Sequence, residues 1–242
     1  MLLGVGLAYM GADVLGMSLN GAMASTGDVR QGEGDQHMKL YNSIGPNPRV
    51  VKMFLAEKGL ELDKVPVDLM AGENRQTAYG AVNPSGTLPA LEVDEGSIIA
   101  EITAICEYLE ELHPEPPLIG STPMQRAETR MWTRRIDLGI VEPMTNGFRY
   151  SQGLRMFQSR MRCIPQAADD LKAIAQEKLT WLDDLIAGRE WIVGDRFTLA
   201  DILLFCFLDF GASVGQPLNP ENKNITAWFE RAKVRPSAAA SA

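Results

Sequence analysis

Two short runs in the first half of the chain combine residue types that suit the binding of a small peptide. Residues 83–91 read NPSGTLPAL, so a turn leads into a predicted strand that begins at Leu88 and Pro89. A proline at that position lacks an N–H, and X-Pro bonds can adopt the cis form. Farther on, Glu101 stands just before an amphipathic helix, whose free N–H groups attract anions. Together these runs predict a bent strand beside a helix start, which would hold a peptide by its backbone and its carboxylate.

The two runs resemble the glutathione-binding half of the cytosolic glutathione transferase family, in which a cis-proline loop lies beside an acidic helix start. The resemblance extends from Met38 to about Pro236. It implies an α+β protein, with a thioredoxin-like N-terminal domain followed by an all-α C-terminal domain. It also implies an enzyme that consumes glutathione as its cosubstrate, needs no metal ion, acts in detoxification in the cytoplasm and forms a homodimer.

Such an enzyme must stabilise the glutathione thiolate, because the thiol is mostly protonated at neutral pH and is then a poor nucleophile. Lowering a thiol pKa by about two units takes roughly 2.7 kcal/mol. The donor is expected between the first strand and the first helix, where residues 43–49 contain no Cys and no Tyr. This loop resembles that of Nu-class transferases, which makes Asn47 the candidate catalytic residue, through its side chain or its backbone N–H. Gly45 stands where that class has a Thr, which removes one hydrogen-bond donor. Ser43 is the alternative donor to the sulfur. The alternative for Asn47 is a purely structural role as a turn or helix-cap residue.

The resemblance also assigns the remaining contacts with glutathione. The backbone of Leu88 would bind the cysteine of the tripeptide, Glu101 its glutamyl ammonium group, and Arg75 its glycine carboxylate. Many family members have Ser after the acid, whereas this chain has Ile102, so Thr103 or the backbone N–H groups would bind the glutamyl carboxylate. The candidate glutathione-binding residues are Asn47, Arg75, Thr87, Leu88, Pro89, Glu101, Ile102 and Thr103.

The predicted function is transfer of the glutathione thiolate to a mostly apolar electrophile, whose identity the fold does not specify. One alternative is a glutathione-dependent disulfide reductase or peroxidase, since a site with Asn and no Cys resembles the Nu class. A second alternative is a non-catalytic glutathione-binding protein, because Gly45 and Ile102 both lack a hydroxyl group. Candidates for the electrophile pocket, with a place in the core as the alternative, are Arg130, Arg134, Phe148 and Tyr150.

Composition excludes several other classes of function. The chain has 242 residues and a net charge of −8, with dispersed basic residues, which argues against nucleic-acid binding. It contains three cysteines, no C-x-x-C and two histidines, so neither a disulfide framework nor a metal-ligand cluster is expected. Cys106 and Cys206 lie in apolar helical stretches and are predicted to be buried.

The chain divides by composition into four parts. Residues 1–37 are first apolar and Gly-rich and then polar, and we interpret them as a disordered extension. The apolar stretch is too short for a convincing membrane span, and no Lys or Arg precedes Arg30 as a signal peptide would require. The small residues Ala22-Met23-Ala24 resemble a cleavage site, so an export signal is the alternative. A connection over residues 115–122 is predicted to separate a thioredoxin-like glutathione-binding domain, residues 38–114, from an all-helical domain, residues 123–242.

The predicted elements place the candidate residues at junctions between strands and helices. Periodicity indicates the order strand, helix, strand, loop, hairpin and helix, followed by helices alone. Thr198 and Asp201 form a capping pattern before an apolar run that should be a central buried helix. The predicted strands are Met38–Asn42, Leu62–Leu69, Leu88–Val93 and Ser97–Ala100. The predicted helices are Arg49–Lys58, with Gly59 as its cap, 167–187, 202–210 and one that begins at Pro123. Residues 70–82 are predicted to be irregular.

Overall fold

The computed structural model describes residues 38–242, apart from the side chain of Glu95. The predicted disordered extension, residues 1–37, lies outside the described residues.

A four-stranded mixed sheet forms the centre of the N-terminal half. Its strand order is β2-β1-β3-β4, with β1 parallel to β2 and antiparallel to β3, and with β3 antiparallel to β4. Pro66 ends the edge strand β2, a position where its missing N–H costs no sheet hydrogen bond. The strands are β1 (Lys39–Asn42), β2 (Asp63–Pro66), β3 (Ala90–Val93) and β4 (Ser97–Ala100).

Three helices flank this sheet, and two of them differ from the prediction. The first helix begins at Pro46 rather than Arg49, because a proline suits the first helical position, where an N–H would have no intrahelical partner. The segment predicted to be irregular contains a short helix that buries a single side chain, Tyr79, too little for a periodic apolar pattern. The helices are α1 (Pro46–Lys58), α2 (Thr77–Val82) and α3 (Ile102–Leu112).

The remainder of the described chain is helical, which confirms the predicted fold class. A π-helical turn, Asp137–Val141, joins α4 to α5 without a break. Thr122 caps α4 by accepting a hydrogen bond from the N–H of Gln125 at 3.2 Å, and Pro123 takes the predicted first position. The helices are α4 (Pro123–Ile136), α5 (Glu142–Arg149), α6 (Leu154–Phe157), α7 (Ala168–Leu185), α8 (Leu199–Ser213), α9 (Lys223–Lys233) and α10 (Pro236–Ala240).

The helix α8 is the central buried helix that the apolar run predicts. It packs against α1 of the N-terminal half and against α4 and α9, so one core serves both halves. The Cys206 sulfur lies 4.0 Å from the Met53 sulfur on α1, and burial raises the pKa of Cys206 to about 12. Cys106 is fully buried as well, and burial raises the pKa of its thiol well above the usual value. Both thiols are therefore structural, as predicted.

A buried ion pair fixes the connection between α3 and α4. Lys58 at the end of α1 pairs with Glu110, and both side chains are almost completely buried. The Lys58 ammonium also donates to the carbonyls of His113 and Pro116 at 2.7 and 2.6 Å. The Glu110 carboxylate in turn accepts N–H groups from three consecutive residues of the connection, including Ile119 at 2.7 Å. The connection is thus held by hydrogen bonds along most of its length.

The start of α8 is held by a fully buried carboxylate, Asp201. It accepts hydrogen bonds from the backbone N–H of Thr198 at 2.9 Å and from the Ile192 N–H at 3.0 Å. The indole N–H of Trp228 on α9 donates to it at 2.8 Å, and the Thr198 hydroxyl at 3.1 Å. Burial raises the pKa of Asp201 to about 6, although these donors favour the charged form. The predicted capping pattern therefore ties α8 to its neighbours as well as starting it.

We expect Asp201→Asn to lower the free energy of unfolding by about 2–4 kcal/mol, because the new NH₂ group would face N–H donors and leave them unsatisfied. Urea denaturation measures this change. Asp195→Asn, at an exposed position in the preceding turn, is the matched control and should change stability by less than about 0.5 kcal/mol. Equal losses in the two variants would contradict the assigned role of Asp201.

Candidate functional site

The first turn of α1 concentrates its free donors on one residue. The first three residues are Pro46, Asn47 and Pro48, and the two prolines have no N–H. The N–H of the fourth residue, Arg49, already bonds to the carbonyl of Gly45 at 3.3 Å. The backbone N–H of Asn47 has no acceptor among the described residues, and neither does its side-chain amide. Because the N-terminus of a helix attracts negative charge, Asn47 offers an anion two donors at a favourable place.

Ser43, the alternative donor, faces elsewhere. Its hydroxyl donates to the carbonyl of Val67 at 2.5 Å, and it lines a cleft on the other side of the loop between β1 and α1. Asn47 lies inside α1 rather than at its cap, which is Gly45, so the alternative role as a cap residue is wrong.

The peptide bond between Leu88 and Pro89 is cis, as the sequence predicts. Two hydrogen bonds fix the loop before this bond. The Thr87 carbonyl accepts one from the Tyr79 hydroxyl at 2.7 Å and one from the Asn83 side-chain amide at 3.0 Å. The N–H and C=O of Leu88 have no hydrogen-bond partner among the described residues. Because buried backbone groups are normally paired, this short stretch is suited to pair with an extended peptide.

Glu101 adopts a backbone conformation that L-residues seldom adopt, with φ 73° and ψ 126°. Among the described residues no other non-glycine has a positive φ. Such a conformation costs about 1–3 kcal/mol and is most often found at functional sites. It directs the chain into α3, and the side chain of Glu101 is exposed.

All eight candidate residues line two adjoining cavities. The first has a volume of about 410 Å³ and includes Arg75; the second has about 280 Å³ and includes Pro89, Glu101, Ile102 and Thr103. These sizes are sufficient for a small peptide and part of a second substrate. The residues that line both cavities are Asn47, Thr87, Leu88, Thr145, Arg149 and Phe207.

The two cavities have opposite charge. The described residues lining the first cavity include three arginines (Arg75, Arg149, Arg160) and no Asp or Glu. The second is lined by Glu101, Asp137 and Glu142 together with Arg149. Burial raises the pKa of Asp137, and the charges of Glu142 and Glu101 raise it further, while Arg134 lowers it. The acidic end therefore favours an ammonium group and the basic end favours carboxylates.

Of the four residues predicted for the electrophile pocket, the structure places only Phe148 at the first cavity. Phe148 lines the first cavity, with its ring centroid 5.2 Å from that of Phe210 and 6.1 Å from that of Phe157. Arg130 and Arg134 line a further cleft that shares Thr103 and Asp137 with the second cavity, and Arg130 pairs there with Glu107. Neither arginine lines the cavity that contains Phe148.

The structure does not bring Tyr150 to the site either, because Tyr150 is not among the described residues that line the two cavities. Phe148 and Tyr150 both follow the π-helical turn, and residues two apart on a helix do not share a face.

Sequence reasoning missed the far wall of the site, which comes from α5, α6 and α8. Thr145 and Arg149 are four residues apart and so share one face of α5, a signal that was available in the sequence. No sequence pattern marks the segment after α5, which turns back over the cavity. The missed lining residues are Thr145, Arg149, Met156, Phe157, Arg160, Phe207 and Phe210.

Residues 38–242 contain neither a candidate metal site nor a candidate membrane span. No group of three or more His, Cys, Asp or Glu residues in this range is arranged to hold a metal ion. No helix in this range is both long and apolar enough to cross a membrane.

Comparison with known proteins gives consistent matches along the chain. Residues 44–112 match the glutathione S-transferase N-terminal domain family, and residues 159–236 match the glutathione S-transferase C-terminal domain family. Glutathione S-transferase 2 of Saccharomyces cerevisiae is 32% identical over 210 residues, covering 84% of this chain and 88% of that protein. Maleylacetoacetate isomerase of Pseudomonas aeruginosa is 36% identical over 177 residues, covering 69% of this chain and 78% of that protein. The crystal structure of a glutathione S-transferase domain-containing protein from Marinobacter aquaeolei superposes with a TM-score of 0.78 at 35% identity. The match covers 83% of this chain and 99% of that chain.

We expect Glu101→Gly to be more stable than Glu101→Ala by about 1 kcal/mol, because Gly tolerates a positive φ at no steric cost. Both variants lose the carboxylate, so the difference reports the backbone. Urea denaturation measures it.

Ala104 provides the matched control, since it is exposed on the same helix and has ordinary helical geometry. There, Ala104→Gly should lower stability by about 1 kcal/mol. If Gly were no better than Ala at position 101, the backbone would not be strained there.

Proposed function

The chain belongs to the cytosolic glutathione S-transferase family and is a glutathione-dependent enzyme, and we propose that it transfers the glutathione thiolate to a mostly apolar electrophile. The observation that carries this proposal is the convergence of the unpaired Leu88 backbone, the free donors of Asn47 and the acidic group Glu101 on two adjoining cavities.

Glutathione is proposed to lie extended along the cis-proline loop, with its cysteine paired to the backbone of Leu88. Its glutamyl ammonium group points to the acidic cavity and binds Glu101. Its glutamyl carboxylate binds Thr103 and the N–H groups at the start of α3, since Ile102 has no hydroxyl to offer. Its glycine carboxylate binds Arg75 in the basic cavity. The opposite charges of the two cavities support this orientation.

The glutathione sulfur then lies beside Asn47, where the side-chain amide and the backbone N–H stabilise the thiolate. The thiol proton leaves to solvent. The sulfur attacks the electrophilic carbon and forms a C–S bond, and the leaving group departs with the electron pair of the bond that breaks. Hydrogen bonds to a charged group contribute about 1.5–3 kcal/mol, which is of the size needed to shift the thiol pKa.

An apolar electrophile is supported by the far wall of the first cavity. Phe148, Phe157 and Phe210 form edge-to-face contacts there, and Met156 adds an adaptable side chain. An aromatic substrate could pack on these rings with its reactive carbon toward the sulfur.

A glutathione-dependent disulfide reductase is the second candidate, favoured by the absence of any cysteine among the described residues lining either cavity. In that reaction glutathione itself supplies both thiols. Rates with a disulfide and with an aromatic halide distinguish the two activities. Glutathione binding without turnover of either substrate would instead support the non-catalytic alternative.

We also propose a cytoplasmic homodimer that acts in detoxification, in line with the family resemblance. Buried, unpaired Cys106 and Cys206 are consistent with a reducing compartment. The domain organisation that we propose is residues 38–114, a connection over 115–122 and residues 123–242.

We expect Asn47→Ala to lower kcat/KM about 10- to 100-fold if the lost side-chain hydrogen bond is one to a charged sulfur. The pKa of bound glutathione, followed by the ultraviolet absorbance of its thiolate, should rise toward the free value of about 8.5. Calorimetry should still detect glutathione binding.

Ser43→Ala is the matched control and should leave both quantities unchanged, because that hydroxyl is bonded to Val67. A wild-type complex in which the thiol pKa is not lowered would reject the proposed mechanism, and no binding of glutathione would reject the proposed function.

A further inference from the structure

Arg149 is a partly buried charged side chain that forms no direct ion pair with a described carboxylate, although it interacts with the charge of Glu142. Its Nη1 donates to the side-chain oxygen of Asn146 at 3.2 Å, while its Nε is shielded from solvent and has no acceptor. Burial lowers the pKa of Arg149, because the charged form has lost water, and the nearby Tyr150, Cys163 and Glu142 offset this only in part. A guanidinium that loses water without gaining an acceptor costs free energy, so a role with an anionic ligand would explain its position.

Two other arginines show how the same edge of the guanidinium is used in this protein. Arg130 donates from Nε and Nη2 to the two oxygens of Glu107 at 3.0 and 2.6 Å. Arg235 forms the same two-point pair with Glu57, with both distances 2.7 Å. Such pairing matches the planar guanidinium to a planar carboxylate. The corresponding edge of Arg149 has no carboxylate partner among residues 38–242.

The surroundings of Arg149 are basic and aromatic. Arg149 and Arg160 lie on the Phe157 ring, with their guanidinium carbons 5.5 and 5.9 Å from its centroid. Arg160 also donates to the carbonyl of Leu69 at 3.4 Å, which leaves other donors available. The first cavity has no described acidic lining residue although the whole chain has a net charge of −8. This local excess of positive charge therefore does not follow from composition.

Glutathione does not account for these two arginines. In the proposed orientation its glycine carboxylate binds Arg75, and its glutamyl carboxylate binds Thr103 and the start of α3. Arg160 lines the first cavity and Arg149 lines both cavities, and both side chains lie on the Phe157 ring of the aromatic wall, where the second substrate would lie.

We propose that the electrophile carries a carboxylate beside an aromatic or apolar body, and that Arg149 binds this carboxylate with Arg160 as a second cation. The inference rests on the proposed function and narrows its substrate class. The body of the substrate packs against Phe148 and Phe210, and the fixed charge at one end orients its reactive carbon toward the sulfur at Asn47.

The test compares two aryl chlorides of nearly equal size, 4-chloro-3,5-dinitrobenzoate and 4-chloro-3,5-dinitrobenzamide. Both would lose chloride to the glutathione sulfur. Each kcat/KM is divided by the rate constant of the uncatalysed reaction with glutathione, which removes the difference in intrinsic reactivity. We expect the normalised value of wild-type protein to be about ten-fold or more higher for the acid. This comparison depends on no variant.

Arg149→Met keeps an apolar stem without the charge and should lower the acid-to-amide ratio about ten-fold or more. Arg160→Met should lower it less. Arg155→Met is the matched control, because Arg155 is exposed on α6 and lines neither cavity, and it should leave the ratio unchanged. Circular dichroism confirms that each variant folds.

Calorimetry with unreactive 3,5-dinitrobenzoate and 3,5-dinitrobenzamide gives a readout that needs no turnover. Wild-type protein should prefer the acid, and Arg149→Met should not.

Equal normalised rates for acid and amide in wild-type protein would overturn the inference and leave the transferase function intact. Weaker glutathione binding in Arg149→Met with an unchanged acid-to-amide ratio would assign Arg149 to the tripeptide and also overturn it. If wild-type protein bound no glutathione, the proposed function would fail, and the calorimetric preference would still decide whether Arg149 binds a carboxylate.

Discussion

Both halves of the protein pack against one almost wholly apolar helix, α8, and the site exists because of that packing. Eleven of its fifteen residues are buried, and its start is held by the hydrogen bonds to Asp201. The helix α1 lies against it, which fixes Asn47 relative to the helical half. Phe207 and Phe210, farther along α8, line the cavities beside Asn47. The core of the protein and the wall of its site are therefore parts of one element.

The site achieves selectivity for charge with few residues. Two prolines remove competing N–H groups around Asn47, so the positive end of α1 acts through a single residue. Acidic side chains collect at one end of the paired cavities and arginines at the other, although the basic residues are dispersed along the sequence. Folding creates this separation, because the arginines come from α5, from the segment after α6 and from the loop before α2.

The sequence predicted those features that depend on local chemistry. The cis bond at Pro89, the acidic residue before α3, the αL cap at Gly59 and the capping pattern at Thr198 each follow from residue type and neighbouring positions. Features that depend on long-range packing were not predicted. α2 is too short for a periodic pattern, and the role of Arg149 becomes visible only when α5 is placed over the cis-proline loop. The position of Arg130 and Arg134 away from the first cavity has a similar origin, since the packing of α4 depends on contacts with distant segments such as α8.

The buried pair of Lys58 and Glu110 has a consequence for how the two halves behave together. Both charges are hydrogen-bonded to the connection, so moving it would take the Pro116 carbonyl from the Lys58 ammonium group and three N–H donors from the Glu110 carboxylate. Such losses are costly at a buried ion pair. A hinge at this connection is therefore disfavoured. Because the two halves also share the core around α8, we expect them to unfold together.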